Sequence, residues 1–276
     1  MNAWQAFLLG LVQGLTEFLP VSSSGHLMIF KTLFGVESEG FLDFTVTVHL
    51  ATVLSTLVVF RREILRLLKG LFRFRYNDET DYICKLAVSM IPVAVVGFFF
   101  KDRVEALFGE SLLTVAVCLI VTALLLFFSD QPFRRRKPAP QPEDAPEPRG
   151  DISFWQAFVV GVGQAFAVAP GLSRSGTTIA TGLLCGVKRD VMAQFSFLMV
   201  LVPILGEQLL DVVKAVSGSA PLGGGIGALP LLLGFAAAFA SGLFACKAMI
   251  ALVRKARLTG FALYCLLVAG LILILT

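Results

Sequence analysis

Residues 4–27 read WQAFLLGLVQGLTEFLPVSSSGHL, and residues 155–178 read WQAFVVGVGQAFAVAPGLSRSGTT. At a constant offset of 151, the two segments share nine identities in 24 positions, among them the tryptophan, two glutamines and a Ser-x-Ser-Gly sequence. Apolar segments rarely keep such polar residues in register by chance. The sequence therefore predicts an internal duplication, with each half opening on the same element.

The composition places the chain in a membrane. Its 276 residues are 57% hydrophobic and only 15% charged, and the mean hydropathy is +0.83. Soluble domains carry about 25% charged and roughly 45–50% apolar residues. This difference excludes a soluble globular enzyme, a disordered chain and a nucleic-acid-binding protein. The five cysteines contain no Cys-x-x-Cys pair, so we interpret them as small packing residues.

Six apolar runs are long enough for helices that cross a bilayer, which takes about 20 residues. The duplicated segments, within 4–27 and 152–182, are different, because Gly, Pro, Ser and one charge each interrupt them. Irregular backbone at membrane depth survives only where it is buried in protein or lines a polar cavity. We therefore predict an all-α polytopic membrane protein, each half having one re-entrant or broken helical hairpin followed by three transmembrane helices. The predicted spans lie near 42–60, 83–100, 112–129, 191–213, 230–252 and 259–276.

Basic residues indicate how the chain is oriented. They concentrate in the loops 61–82, 130–151 and 253–258, whereas the loops 101–111 and 214–229 have no such excess. Basic loops face the cytoplasm. Three spans in each half is an odd number, so the halves are predicted to be antiparallel. Such an inverted repeat brings its broken helices together near the bilayer midplane.

A linker separates the two halves. Residues 137–150 are Pro-rich and charged, which indicates a solvated segment rather than a domain. We predict a first half at 1–130, a cytoplasmic linker at 131–151 and a second half at 152–276.

The first hairpin carries a carboxyl group at membrane depth. Gln13 and Glu17 are four residues apart and share one face of a helix. Ionisable residues inside the membrane are functional candidates by default. A helix N-terminus favours an anion, and a glycine there lets the backbone approach a ligand. The residues at the predicted start of the next helix are Ser22, Ser23, Ser24, Gly25 and His26.

The second hairpin places one arginine, Arg174, among hydroxyl groups. An arginine at the membrane centre costs about 2.5–3.5 kcal/mol on insertion scales. Its planar guanidinium matches phosphate or carboxylate oxygens with two parallel hydrogen bonds. Together the hairpins supply a cation, hydroxyls, backbone donors, a carboxylate and an imidazole, which suits the binding and splitting of a phosphate ester or anhydride. The residues around the arginine are Ser173, Ser175, Gly176, Thr177 and Thr178.

Each of these residues also has a structural interpretation. Hydroxyl side chains in membrane helices often bond only to their own backbone or pack closely. Glu17 and Arg174 could form a structural ion pair, and His26 could be a satisfied interior histidine. His49 lies in the first span without a motif and is interpreted as structural, and Asp43 as interfacial. The polar residues of a later span, interpreted as packing or pore-lining groups, are Glu207, Gln208 and Asp211.

At these motifs the chain resembles the bacterial undecaprenyl-diphosphatase family, the bacitracin-resistance membrane phosphatases. The family's (Glu/Gln)-x-x-x-Glu motif matches Gln13 and Glu17, and its Pro-Gly-x-Ser-Arg-Ser-x-x-Thr motif matches residues 170–178. Many members carry Glu where Gln13 stands, and Gln cannot act as a base or bind a metal as a carboxylate, so Glu17 must supply most of that chemistry. The type 2 phosphatidic-acid phosphatases share Ser-Gly-His and Ser-Arg, but their nucleophilic histidine falls where this chain has Thr178, and we reject that family.

The resemblance implies removal of the terminal phosphate from undecaprenyl diphosphate, which recycles the lipid carrier of cell-wall synthesis and confers bacitracin resistance. It implies help from a divalent cation, Mg²⁺ or Ca²⁺, for which Glu17 is the candidate ligand. The active site would open toward the outer, periplasmic face of the bacterial inner membrane. The implied partners are the polyprenyl diphosphate substrate and membrane lipids, without nucleic acid, and a homodimer is one candidate assembly.

On this basis Arg174 and the helix-start amides are expected to hold the diphosphate. Ser23 is the candidate nucleophile, Glu17 the base or metal ligand, and His26 the acid/base partner. Attack by His26 itself or by a water that Glu17 activates stays open. A transporter or flippase for an anionic lipid is the alternative function, because inverted repeats with broken helices also build transporters. The predicted diphosphate-binding residues are Gln13, Ser22, Ser24, Gly25, Ser173, Ser175, Gly176 and Thr178.

Overall fold

The computed structural model describes residues 1–37, 40–100, 111–130, 152–169, 171–216, 226–255 and 257–275. Within them the chain forms ten helices and no strand, which confirms the all-α class. The linker at 131–151, Pro170, most of the loops 101–111 and 214–229, and the side chains of Glu207, Gln208 and Asp211 lie outside the described residues. The helices are α1 (Ala3–Thr16), α2 (Ser23–Leu33), α3 (Phe41–Leu71), α4 (Asp78–Phe99), α5 (Leu112–Ser129), α6 (Phe154–Phe166), α7 (Arg174–Leu184), α8 (Arg189–Val216), α9 (Ala228–Lys255) and α10 (Thr259–Leu275).

Five helices are long and apolar enough to cross a membrane, and they correspond to five of the six predicted spans. These segments are Asp43–Leu71, Asp78–Phe99, Leu112–Ser129, Arg189–Gly206 and Ala228–Val253. The sixth predicted span is α10, an apolar helix of 17 residues. That length is at the short end of the roughly 17–25 residues that spanning helices use. The chain is therefore a multi-pass membrane protein.

Helix α3 is longer than its predicted span. It contains 31 residues and continues eleven residues past residue 60 to Leu71. Arg66 donates to Glu63 at 2.9 Å across one helical turn, a spacing at which opposite charges support a helix. The charged residues after position 60 mark the end of the apolar surface, and the helix itself continues beyond it.

The first helix of each half begins in the same way. The Asn2 side chain accepts from the Gln5 N–H at 2.8 Å, and the Gln5 side chain accepts from the Asn2 N–H at 2.9 Å. Ser153 and Gln156 form the same reciprocal pair, at 3.2 and 2.9 Å, at the start of α6. Such a capping box satisfies two backbone donors that the first turn leaves without helical partners.

Each half packs its first helix against the fourth helix of the other half. Helix α1 lies along α9, and α6 lies along α4. Glycine permits both close approaches: a Cβ at Gly10 would lie 2.3 Å from the Gly234 carbonyl oxygen, and one at Gly161 would lie 2.2 Å from that of Ser89. Small residues at helix contacts are typical of membrane proteins. The first arm of each hairpin, α1 or α6, is thus held by a helix of the opposite half.

The core fixes the loop of the first hairpin. Phe18, which follows Glu17 directly, is only 3% exposed. Its ring lies 6.1 Å from the ring of Phe197 in α8, and Phe197 lies 6.0 Å from Phe60 in α3. Aromatic contacts at these separations are favourable. The residue next to the carboxylate is therefore anchored to helices of both halves.

One carboxylate joins three helices at the end of α5. Asp130 accepts from the Arg189 guanidinium at the start of α8, and from the Thr259 hydroxyl at 2.6 Å and N–H at 3.2 Å at the start of α10. Burial alone would raise the pKa of Asp130, but the hydrogen bonds from Thr259 and Arg189 outweigh it and hold the pKa below its usual value. The ionised form of this group is thus the one that ties the helix ends together.

Candidate active site

The first hairpin turns between α1 and α2. Glu17 caps the end of α1, where its N–H donates to the Gln13 carbonyl at 2.9 Å. Ser22 caps the start of α2, where its Oγ accepts from the Gly25 N–H at 3.2 Å. Between these caps the chain reverses direction, so Ser23 in the first turn of α2 returns to the side chain of Glu17.

The second hairpin turns in the same way between α6 and α7. Ser173 caps α7, its Oγ accepting from the Gly176 N–H at 3.1 Å. Gly171 has a φ of 90°, a left-handed conformation that glycine adopts without a steric penalty. Arg174 occupies the first position of α7, which is the position of Ser23 under the offset of 151.

The two hairpins contact each other. The Gly171 N–H donates to Ser24 Oγ at 3.3 Å, and Ser175 Oγ donates to the Leu19 carbonyl at 3.1 Å. In addition to these two hydrogen bonds, an Arg174 guanidinium nitrogen lies 3.7 Å from Glu17 Oε1. The structure thus brings the arginine and the carboxylate together from segments about 150 residues apart.

The Glu17 carboxylate is the centre of the cluster. Its Oε2 accepts from Gln13 Nε2 at 2.8 Å and from Ser23 Oγ at 2.5 Å, while its Oε1 faces Arg174. The Glu17 side chain is only 9% exposed. A carboxylate this close to a hydroxyl is placed to take its proton, and a serine so activated can attack an electrophile.

His49, for which the sequence predicts a structural role, is a fifth member of the cluster. Its Nε2 lies 3.7 Å from Glu17 Oε2, and its Nδ1 donates to the Thr45 carbonyl at 2.8 Å. Thr52 and Thr56 follow His49 at spacings of three and seven residues, so the three polar side chains share one face of α3. That polar stripe in an apolar span was the available signal.

His26 contacts Ser22 and Tyr264. Its Nδ1 lies 2.8 Å from the Ser22 carbonyl, and its Nε2 lies 2.8 Å from the hydroxyl of Tyr264 in α10. The His26 side chain is buried, and its ring stacks on that of Tyr264. Among the described residues, the lining of the cavity that contains Glu17 and Arg174 does not include His26, so the structure brings together the first two residues of the expected pocket of Glu17, Arg174 and His26.

The predicted diphosphate-binding hydroxyls differ in availability. Ser22 and Ser173 cap their helices, accepting from Gly25 and Gly176, the two predicted glycines. Thr178 is fully buried, and its Oγ1 bonds to Ser196 Oγ at 2.6 Å. Ser23, Ser24 and Ser175 lie where the two hairpins meet.

A cavity opens beside the carboxylate. The polar residues of its lining are Glu17, Arg174, Ser175, Thr52 and Thr56. The apolar residues of its lining come from the first hairpin and from α3 and α8. A lining that combines charged and apolar side chains suits a ligand with a charged head and a hydrocarbon tail. The apolar residues are Phe18, Val53, Phe197, Val200, Leu201 and Ile204.

The donors fit a metal ion that arrives with an anionic substrate. The described part of the chain contains no group of three His, Cys, Asp or Glu side chains that could hold a metal. Gln13 is fully buried, and its Oε1 has no hydrogen-bond partner among the described residues, although its Nε2 donates to Glu17. Mg²⁺ is often bound by one or two carboxylates together with substrate phosphates, and Ca²⁺ also accepts amide oxygens. Glu17 and the Gln13 amide oxygen are the groups that would hold such an ion.

Comparison with known proteins identifies the family. Residues 6–271 match the family model described as Bacitracin resistance protein BacA. The chain is 53% identical to the undecaprenyl-diphosphatase of Parabacteroides distasonis over 99% of this chain and 98% of the relative. It is 52% identical to that of Bacteroides thetaiotaomicron, over 100% and 99%, and 39% identical to that of Carboxydothermus hydrogenoformans, over 100% and 98%. The chain therefore belongs to the BacA bacitracin resistance protein family.

Proposed function

We propose that this protein is an undecaprenyl-diphosphatase, which hydrolyses undecaprenyl diphosphate to undecaprenyl phosphate and phosphate. The observation that carries the proposal is the 2.5 Å contact between Ser23 Oγ and Glu17, with Arg174 at 3.7 Å on the other carboxylate oxygen. Near-full-length relatives named undecaprenyl-diphosphatase support the same reaction. The product would return to cell-wall synthesis as a lipid carrier, and its recycling would confer bacitracin resistance.

In the first step Glu17 takes the proton of Ser23, whose Oγ attacks the terminal phosphorus. The bond between Oγ and phosphorus forms as the bond to the bridging oxygen breaks, and undecaprenyl phosphate leaves with the proton that Glu17 took. In the second step a water gives a proton to the ionised Glu17 and attacks the phosphorus. The bond between Oγ and phosphorus breaks, Glu17 returns the proton to Ser23 Oγ, and phosphate is released. Phosphoryl transfer depends chiefly on positioning and charge stabilisation.

Arg174 provides the charge stabilisation. Without substrate its guanidinium faces Glu17. A bound diphosphate offers it oxygens that match its planar fork, and this interaction strengthens as charge develops on the transferred group. Ser24, Ser175 and the other predicted binding hydroxyls would complete the contacts around the phosphates.

We extend the proposal to a divalent cation, Mg²⁺ or Ca²⁺. Glu17 and Gln13 Oε1 would hold it together with the diphosphate. When bound, the cation would neutralise phosphate charge. The two protein groups alone bind such an ion weakly, so the substrate would supply most of its ligands.

We also propose that the two halves form an inverted repeat with re-entrant hairpins. The shared capping boxes and the packing of α1 on α9 and of α6 on α4 support an approximate two-fold relation.

The basic loops support a cytoplasmic location for the ends of α3 and α5. The site would then open toward the periplasmic face of the inner membrane. A homodimer stays a prediction.

The test is phosphate release from undecaprenyl diphosphate by the purified protein in detergent. Wild type should release phosphate, and excess chelator should suppress the release. Glu17→Gln and Ser23→Ala should be inactive, and Ser129→Ala, which removes a hydroxyl at the end of α5, should be fully active. If the wild-type protein releases no phosphate, the proposed reaction is wrong. If the Ser23→Ala variant is active, Ser23 is not the nucleophile.

The alternative function, a transporter or flippase for an anionic lipid, is not favoured. The relatives carry the name of a diphosphatase, and a serine hydroxyl at 2.5 Å from a carboxylate serves cleavage rather than binding alone. Detergent provides no second compartment, so phosphate release there also separates the two functions.

A further inference from the structure

The backbone of Ser22 has an unusual conformation. Its φ is 69° and its ψ is 95°, and Ser22 is one of only two non-glycine residues with positive φ in the described part of the chain. Such conformations are disfavoured for L-residues and persist only where their surroundings hold them. The next residue is Ser23, whose Oγ lies 2.5 Å from Glu17. The conformation of Ser22 therefore decides where the proposed nucleophile lies.

His26 supplies two contacts to the Ser22 carbonyl, in addition to the Gly25 N–H that donates to Ser22 Oγ. The Ser22 carbonyl lies 3.1 Å from the backbone nitrogen of His26 and 2.8 Å from its Nδ1. A carbonyl oxygen only accepts hydrogen bonds, so Nδ1 must carry a proton. One carbonyl is thus fixed by two donors of a single residue, one of them belonging to the helix and the other to the side chain.

Tyr264 fixes the ring of His26 in turn. The Tyr264 hydroxyl lies 2.8 Å from Nε2, and the two rings are stacked with centroids 5.6 Å apart and planes 8° from parallel. When Nδ1 carries the proton of a neutral imidazole, Nε2 is an acceptor, which the tyrosine hydroxyl satisfies as donor. Both ring nitrogens are then engaged, and the buried ring has a single orientation.

We infer that His26 and Tyr264 are positioning residues that hold the Ser22 backbone so that the Ser23 hydroxyl faces Glu17. The inference rests on the proposed function. The positioning role belongs to Nδ1 of His26, which donates to the Ser22 carbonyl. Through Tyr264, helix α10 of the second half fixes the position of a nucleophile in the first half. The Tyr264 hydroxyl acts through His26 and does not contact the substrate.

Two substitutions of His26 separate this role from proton transfer at Nε2. In His26→Asn the side-chain amide nitrogen takes the place of Nδ1 and can still donate to Ser22. In His26→Gln the amide reaches the place of Nε2 and cannot. We expect His26→Asn to keep activity within about tenfold of wild type, the effect of one lost neutral hydrogen bond. His26→Gln should lose about a hundredfold or more, as expected when a reacting group is misplaced by about 1 Å.

Phosphate release from undecaprenyl diphosphate measures these effects, and size-exclusion profiles and unfolding midpoints check that each variant is folded. Tyr264→Phe keeps the stacked ring but removes the hydroxyl, so kcat should fall about 2–10-fold while KM stays unchanged. Tyr76→Phe, which removes an exposed tyrosine hydroxyl between α3 and α4, is the matched control and should match wild type.

The outcomes distinguish the two proposals. A wild-type protein without phosphatase activity refutes the proposed function and leaves nothing for a positioning residue to do. If wild type is active, the positioning role is overturned by either of two results. In one, His26→Asn releases phosphate as slowly as His26→Gln; in the other, His26→Gln releases phosphate faster than His26→Asn. If His26→Asn does not fold, Tyr264→Phe decides: a higher KM with an unchanged kcat, or no change in either, overturns the inference.

Discussion

Replacing Gly161 by alanine tests the close packing of α6 on α4. The new Cβ would lie 2.2 Å from the carbonyl oxygen of Ser89, whereas real Cβ atoms essentially never approach closer than 3.0 Å. The helices must therefore separate locally by about 0.8 Å (3.0 − 2.2). Because the obstacle is a backbone atom, no change of rotamer relieves the contact.

Gly270→Ala is the matched control, since it lies within α10 and a Cβ there meets no atom within 4 Å. Both substitutions gain the helix preference of alanine, about 1 kcal/mol, so their difference reports the contact alone. Overpacking costs about 1–3 kcal/mol. At about 2–4 °C per kcal/mol, the unfolding midpoint of Gly161→Ala should lie roughly 2–12 °C below that of Gly270→Ala.

The assay is thermal unfolding of the purified protein in detergent, with all variants scanned at one rate because membrane proteins seldom unfold reversibly. Gly10→Ala, whose Cβ would meet the Gly234 carbonyl at 2.3 Å, should behave like Gly161→Ala. Equal midpoints for Gly161→Ala and Gly270→Ala would refute the claim that α6 and α4 meet at glycine distance.

Three further predictions concern the site and the helix ends. Arg174→Lys should lower kcat in the phosphate-release assay by about 10²–10³-fold, because a point charge cannot replace two parallel hydrogen bonds that strengthen during transfer; near-normal turnover would exclude the assigned role. Quenching wild type during turnover should trap a phosphoserine at Ser23, visible by mass spectrometry, and a phosphohistidine found instead would transfer the nucleophilic role. The pKa of Asp130 is below the ordinary value of 3.8, so its stabilising contribution is complete above that pH and is lost as the pH falls through its folded-state pKa. Asp130→Asn should therefore unfold at a lower temperature than wild type at pH 7. As the pH falls below about 4, the unfolding temperature of the variant should decline less than that of wild type. Identical pH dependences of the two unfolding temperatures would contradict this.

The pairing of the hairpins could be predicted from sequence, because two signals agreed. The duplicated motif marked both segments as equivalent, and each carried one charge inside an apolar run. A carboxylate and a guanidinium at membrane depth are costly alone, so each implies a partner. Glu17 and Arg174 were the available pair, and they lie 3.7 Å apart.

The contacts of His49 and Tyr264 depend on helix packing, for which the polar stripe on α3 is a local signal of His49 alone. His49 reaches Glu17 because α3 lies beside α1, and Tyr264 reaches His26 across 238 residues of sequence. A lone histidine in an apolar helix and a tyrosine near a helix start are each common without function. The tertiary contacts place His49 beside Glu17 and Tyr264 beside His26.

The hydroxyl groups show a related limit. Composition predicted a dense set of phosphate ligands, but Ser22 and Ser173 use their oxygens to cap helices and Thr178 bonds to Ser196. Serine favours the cap position for the same reason that it favours phosphate, since its short side chain meets free backbone donors. Sequence alone cannot separate the two uses.

The packing of α1 of the first half against α9 of the second half has a consequence for biosynthesis. Gly10 meets Gly234, which is translated 224 residues later (234 − 10). At about 5–20 residues per second, the ribosome needs roughly 10–45 s to deliver the partner. During that interval the bilayer or an insertion factor must shelter a nascent hairpin whose mate does not yet exist. A polypeptide that stalls before residue 174 thus carries the carboxylate and the serine, but neither the arginine nor the helix α9 that packs on α1.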